Sequence, residues 1–254
     1  MTDGSDVSHR DLPGGNDLAS MPLPPDTVGL IEGLTTTRAI RRYRDEPVKT
    51  EVLRTIMFAA SRAPSGSNRQ PFRFIVLTDG PNAQAAKALI GRAARKMWNH
   101  KRETDGYDRG SGTSTDSPKA RMANTMQRYV DEIESAPVLI LPCLVRYRAR
   151  TEQEGASIYP ACQNLLLAAR ALGYGGVLTG WHNVVETELR ALLRIPDEVF
   201  IAATITLGKP QGRHGPVRRR PMSELIFEES WQQSATFAVD PPGTQFTSAG
   251  PRTG

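Results

Sequence analysis

The side chains with the most chemistry to offer are arginines in two clusters: Arg38, Arg41, Arg42 and Arg44 early in the chain, and Arg213 to Arg220 late in it. A guanidinium presents a fixed fork of N–H donors that matches the oxygens of a phosphate or carboxylate. Such clusters serve as a solvated face, as an anion site or, less often, as a nucleic-acid surface. The deciding question is whether both clusters converge on one anion. No recognition-helix pattern or aromatic-basic repeat accompanies the charge, which argues against nucleic acid. Acid-base and metal chemistry have little to build on. The four histidines, His9, His100, His182 and His214, form no triad-like or metal-like pattern and read as surface or structural groups. Cys143 falls in an apolar strand-like run and Cys162 on a helix face, so both read as small core residues.

The elements that must carry the arginines follow from hydrophobic periodicity and breakers. The chain has 254 residues, a net charge of +5 and 39% hydrophobic content, enough for one substantial core. No run approaches the ~20 apolar residues that would cross a bilayer. Residues 1–25 are rich in Asp, Gly, Ser and Pro, lack the apolar core of a signal peptide and read as a disordered tail on a cytoplasmic protein. A short helix over 28–36 runs into a turn at Arg38-Ala39-Ile40-Arg41. Thr50 is placed to N-cap a second helix, and Ala63-Pro64-Ser65-Gly66-Ser67-Asn68 ends it. Strands are expected over 72–78, 138–145, 177–181 and 200–207, and helices over 84–98, 119–133, 158–172, 186–193 and 223–229. Pro160 belongs in the first turn of its helix or kinks it. Residues 101–118 are polar and Gly/Ser-rich and read as a long lid loop.

Four motifs, in order, resemble the nitroreductase-like flavoprotein family. Thr37-Arg38-Ala39-Ile40-Arg41-Arg42-Tyr43 followed by Asp45-Glu46-Pro47-Val48 is similar to the family's opening motif. Ala63 to Phe72 is similar to the second, with its Asn-x-Gln-Pro-aromatic ending intact. Gln163-Asn164-Leu165 through Leu172-Gly173-Tyr174-Gly175 resembles the central helix and its glycine stop, and Arg219-Arg220-Pro221-Met222 the C-terminal basic-Pro motif. The resemblance implies an α+β fold with a central, mostly antiparallel sheet flanked by helices, and an intertwined homodimer. The FMN-binding domain would cover 26–235, leaving 236–254 as a flexible C-terminal tail.

The resemblance also implies FMN as cofactor and NAD(P)H as electron donor. Arg38 and Arg41, at i and i+3 on one side of a helical turn, would hold the FMN phosphate with Arg219, beside Ala39. Pro64, Ser65, Gly66, Asn68 and Gln70 would reach the flavin across the dimer interface. Leu178, Thr179 and Gly180 would lie at the reactive edge, where a backbone N–H or the Thr179 hydroxyl would bond flavin N5. Thr37 and Ala39 stand where the family has Arg and Ser, and Val217 stands at a position basic in some members, which leaves three arginines for the phosphate. Arg42 and Arg44 read as surface charge, Arg218 and Arg220 as neighbours or solvent-facing. The expected reaction is ping-pong reduction of a nitroaromatic, quinone or similar electron-poor molecule, with no protein acid or nucleophile and no metal. Lys101, Arg102, Arg109 and Lys119 of the lid would favour NADPH. Two alternatives are reductive dehalogenation, suggested by the spacing of Glu103 and Tyr107 with Arg128 as a stand-in lysine, and flavin storage without turnover.

Overall fold

The computed structural model describes residues 21–247 apart from 115, 116 and 148, so most of the expected N-terminal tail and residues 248–254 lie outside the described residues. Within them the chain forms helices α1 (Leu30–Thr36), α2 (Thr50–Ser61), α3 (Pro81–Thr104), α4 (Pro118–Glu132), α5 (Tyr159–Ala171) and α6 (Glu186–Leu193). The strands are β1 (Phe72–Leu77), β2 (Val138–Val145), β3 (Gly175–Thr179), β4 (Val199–Ile201) and β5 (Thr204–Gly208). They make one antiparallel sheet in the order β1-β2-β5-β3, with β4 also paired to β2. The class is α+β, as the motifs imply.

Strand β2 shows why the sheet is central. Successive side chains of a strand point to opposite faces. Leu139, Leu141 and Cys143 enter a core with residues of α3, α4 and α6, while Val138, Ile140 and Leu144 enter a second core with residues of α2 and α5. Helices therefore cover both faces, and the run from Val138 to Leu144 is buried throughout. Cys143 and Cys162 are both buried in these cores. Burial pushes their thiols up to about 11 and about 12, far from thiolate chemistry at neutral pH.

Several expected elements differ for identifiable reasons. The single strand expected over 200–207 is two strands, because Pro142 of β2 has no N–H to donate opposite Ala202 and Ala203. Cys143 pairs with Ile201 but Ile140 with Ile205, so one extra residue bulges on that side. Helix α3 continues to Thr104, six residues past Trp98, shortening the expected loop. Lys101, Arg102 and Glu103 suit a helix, and Lys101 pairs with Asp105 at 2.6 Å. Gly106, at φ +60°, then ends it in the left-handed region. Thr50 is the first helical residue and caps nothing. The helix expected over 223–229 is one 3₁₀ turn, Met222–Glu224. Pro160 sits in the first turn of α5.

Candidate functional site

The segment 37–42 is irregular, not the helical turn that the i, i+3 spacing suggested. Its shape comes from the sheet. Ile40 N–H donates to Gly176 O of β3 at 3.0 Å, and Arg44 N–H to Lys209 O at 2.8 Å. This close approach needs glycine: a Cβ on Gly175 would lie 2.5 Å from Ile40 Cγ1. Tyr43 fastens the segment from below. Its hydroxyl donates to Ile40 O at 2.7 Å and lies 2.8 Å from Thr206 Oγ1, which in turn lies 2.6 Å from the Tyr129 hydroxyl of α4. Burial holds both phenols well above the usual tyrosine range, with the Arg41 charge acting weakly the other way.

Held this way, the segment lines a cavity of about 890 Å³. Arg38, Ala39, Arg41 and Arg42 come from the segment, Arg121, Met122 and Thr125 from α4, and Arg213, Arg218 and Arg219 from the late basic run. The two sequence clusters do converge. No Asp or Glu lines this cavity. None of Arg38, Arg41, Arg42, Arg213, Arg218 and Arg219 has a carboxylate partner among the described residues. Arg41 Nε is buried with no hydrogen-bond partner. A buried donor left unpaired costs free energy, roughly 1–3 kcal/mol and more when charged, so the site is built for an acceptor that arrives with a ligand. A phosphate dianion fits that donor set, and Arg38, Arg41 and Arg219 are present to hold one.

The C-terminal segment completes a wall. Thr247 N–H donates to Arg219 O at 3.0 Å, Gln245 accepts from Arg218 Nε at 3.3 Å, and the Asp240 carboxylate accepts from Met222 N–H at 2.9 Å. Gln245 lines the cavity.

The other sequence-predicted residues lie elsewhere. Pro64, Ser65, Gly66, Asn68 and Gln70 form a surface turn outside the cavity lining. Ser65 Oγ accepts from Gln70 N–H at 2.8 Å, and Ser67, Asn68 and Gln70 all have positive φ, at 52°, 52° and 50°. Left-handed backbone at three non-glycine residues is strained, and such strain is characteristic of functional turns. Leu178, Thr179 and Gly180 close the edge strand β3, also outside the lining. Thr179 Oγ1 donates to Thr204 O at 3.3 Å, so its hydroxyl is engaged within the sheet.

The sequence reading missed the contribution of α4 and of Gln245; Arg42 is exposed, as expected, and also lines the cavity. Arg220, by contrast, is paired to Glu224 at 2.9 Å. The lid charges proposed to attract the donor are largely spent locally: Lys101 on Asp105, Arg102 on Asp108 at 2.9 Å, and Lys119 over the Tyr107 ring. Tyr107 packs on Trp98 and Arg128 pairs with Glu132, so these two of the three residues suggestive of a dehalogenase are engaged away from the cavity, and Glu103 is not among the residues that line it.

The family profile described as "Nitroreductase family" matches residues 34–209. Among curated proteins, a 5,6-dimethylbenzimidazole synthase of Rhodospirillum rubrum is 28% identical over 185 residues, covering 70% of this chain and 80% of that protein. An NADH dehydrogenase of Thermus thermophilus is 29% identical over 196 residues, covering 75% and 91%. A crystal structure of a protein assigned as a nitroreductase, in complex with FMN, from Desulfovibrio desulfuricans superposes with a TM-score of 0.59 at 30% identity, covering 80% of this chain and 98% of that one.

Proposed function

The chain belongs to the nitroreductase family and is an FMN-dependent NAD(P)H oxidoreductase; from that premise we propose that it works as a homodimer, by a ping-pong scheme, on nitroaromatic, quinone or similar electron-poor small molecules. The observation that carries FMN binding to this site is the acid-free arginine cavity with the unpartnered Arg41 Nε. Bound FMN would supply two-electron carrier chemistry, taking a hydride from the nicotinamide and passing it to the acceptor. The protein's own work is to bind and orient. Arg38, Arg41 and Arg219 hold the phosphate, and the Tyr43–Thr206–Tyr129 chain sets the position of the segment bearing the first two. Backbone N–H groups at the end of β3 are offered to the ring edge. No titratable side chain is required at the reacting atoms.

The homodimer is supported by what one chain leaves incomplete. Among the described residues, the strained turn at 64–70 lies outside the arginine cavity of its own chain. Large apolar side chains remain exposed at Leu30 and Ile31 of α1, Phe58 of α2, Leu178 of β3, and Trp231 and Val239 of the C-terminal segment. A second copy would cover such surface and bring its turn to the cavity of the first.

The test is to purify the chain and record its absorption spectrum. Flavin bands that bleach with NADPH or NADH and recover with a nitroaromatic under anaerobic conditions are the expected result. A colourless chain that FMN does not load would overturn the reading, and colour without bleaching would indicate storage.

A further inference from the structure

The arginines of the cavity are anchored in different ways. Arg38 and Arg41 sit on a segment hydrogen-bonded to β3, whereas Arg219 lies in the irregular run after β5, beyond residue 209 where the family profile ends. Upstream, that run is tied by Val217 N–H, which donates to Thr35 O at 3.1 Å. Downstream, the C-terminal segment holds it. The Asp240 carboxylate accepts from Met222 N–H at 2.9 Å, Phe246 forms a parallel bridge with Arg219, and Thr247 N–H donates to Arg219 O at 3.0 Å. A tight turn at Pro241-Pro242-Gly243-Thr244 returns the chain from the first anchor to the second. Thr244 N–H donates to Pro241 O at 3.2 Å, and Gly243 has φ +82°. Proline at the second position and a left-handed glycine at the third are the signature of a type II turn. A Cβ on Gly243 would meet nothing within 4 Å, so glycine is needed there for its backbone conformation and not for space.

We infer that residues 240–247 form a strap that positions Arg219 and so sets how fast FMN leaves, keeping the flavin a resident cofactor rather than a diffusible co-substrate. This rests on the FMN reading of the same cavity. The strap grips the backbone on Arg219 itself and again just past it, at Met222. Between the anchors, Gln245 accepts from Arg218 Nε at 3.3 Å and lines the cavity. Arg219 Nη1 donates to Arg218 O at 2.9 Å, so the aim of this guanidinium follows the backbone that the strap holds. The strap is also built to open without unfolding the chain. Of Phe237, Ala238, Val239 and Phe246, only Ala238 is buried, so directional hydrogen bonds and not a packed core hold the segment down. An element with few buried apolar contacts opens locally at a free energy well below that of global unfolding. Release of the flavin then requires the strap to lift and Arg219 to swing from the phosphate, with both cores intact.

The test follows FMN release from diluted holoprotein, by the recovery of free-flavin fluorescence, in the wild type, G243V, G243N, R219Q and R219Q/G243V. Gly243 does not line the cavity, so its substitutions act only through the turn. A β-branched residue is strained at positive φ, whereas asparagine tolerates it. G243V should therefore release FMN at least about tenfold faster, and G243N should stay within about twofold of the wild type. In the R219Q background, loaded at saturating FMN, G243V should add nothing, because the strap acts through the side chain already removed. Riboflavin, which lacks the phosphate, should bind the wild type and G243V equally in titrations. Wild-type release from G243V, the same acceleration with and without Arg219, or a parallel loss of riboflavin would each overturn the inference. A wild-type chain that takes up no FMN would instead overturn the reading beneath it.

Discussion

The arginine cavity and the turn at 64–70 are assembled on opposite terms. The cavity draws on four separated stretches of one chain: the segment at 38–42, α4, the loop after β5 and the C-terminal segment at 245–247. Its backbone is tied to the sheet, and its unmet need is an anion. The turn is built from one short stretch and tied mainly to itself, through Ser65 Oγ and the Asn68–Gln70 contacts. It holds strained backbone in the open. Charge is thus complete within a chain, whereas the ring-side wall is proposed to come from a second copy.

The sharpest way to break this contrast is to remove the charge. R38Q/R41Q/R219Q should lose FMN altogether, because each charge-assisted contact is worth roughly 1.5–3 kcal/mol. Flavin per chain and an FMN titration measure it. Breaking the turn should have a similar outcome by a different route: S67P puts a residue restricted to negative φ where φ is 52°. Each variant alone is expected colourless and folded by circular dichroism. Co-expression of the two should restore one flavin per heterodimer, since one cavity keeps its arginines and meets an intact turn. If no flavin returns in the mixed dimer, the two regions do not serve one site from two chains.

A smaller effect tests how far the cavity depends on the C-terminal segment. Asp240 and Gln245 act on the arginines only through backbone and side-chain contacts. D240N with Q245A should weaken FMN about threefold to tenfold, in line with loss of ordinary hydrogen bonds of about 0.5–1.5 kcal/mol. The same substitutions should leave the 64–70 turn and the oligomeric state unchanged, as gel filtration would show. A drop as large as that of the arginine variants would mean that the segment is part of the grip itself.

How much of this was legible beforehand follows the same contrast. The turn was readable because breakers and amides sit next to each other, and sequence neighbours determine its shape. Arg38, Arg41 and Arg219 were readable as a charge set through the family motifs. The rest of the cavity was not, because it depends on long-range packing. Arg121 belongs to it only because Tyr129, two turns on, docks α4 on Thr206. Arg42 belongs only because residues 209–211 run beside it. Composition also misled at 101–104, where charged residues that resemble a loop are good helix formers that pair along α3. The split of β4 from β5 needed the partner strand, since Pro142 lies some sixty residues away.

The smallest effect concerns a group behind the cavity. His214 follows Arg213 and donates Nε2–H to Tyr174 O at 3.0 Å, with Nδ1 buried and unpartnered. Burial lowers its pKa below the ordinary histidine value; the backbone of Tyr174 and, more weakly, of Thr36 opposes this, and the charges of Arg170 and, least, Arg38 add to it. His182, buried against Thr204, is lowered by burial as well. A base whose folded pKa is depressed binds more protons unfolded than folded between the two values, so stability rises with pH there. As pH falls below about 6.5, the unfolded histidine value, the folded chain should therefore lose stability until the folded pKa is reached. Thermal melts of the holoprotein from pH 8 to pH 5 should show Tm falling on the acid side, and H214Q should flatten part of that slope. Arg38 links this group to the phosphate grip: FMN neutralises positive charge beside His214 and raises its pKa toward the ordinary value. The acid slope assigned to His214 should accordingly be steeper in apoprotein than in holoprotein, whereas that of His182, which Arg38 does not influence, should be the same in both. Equal slopes for apo and holo in every variant would detach His214 from the cavity.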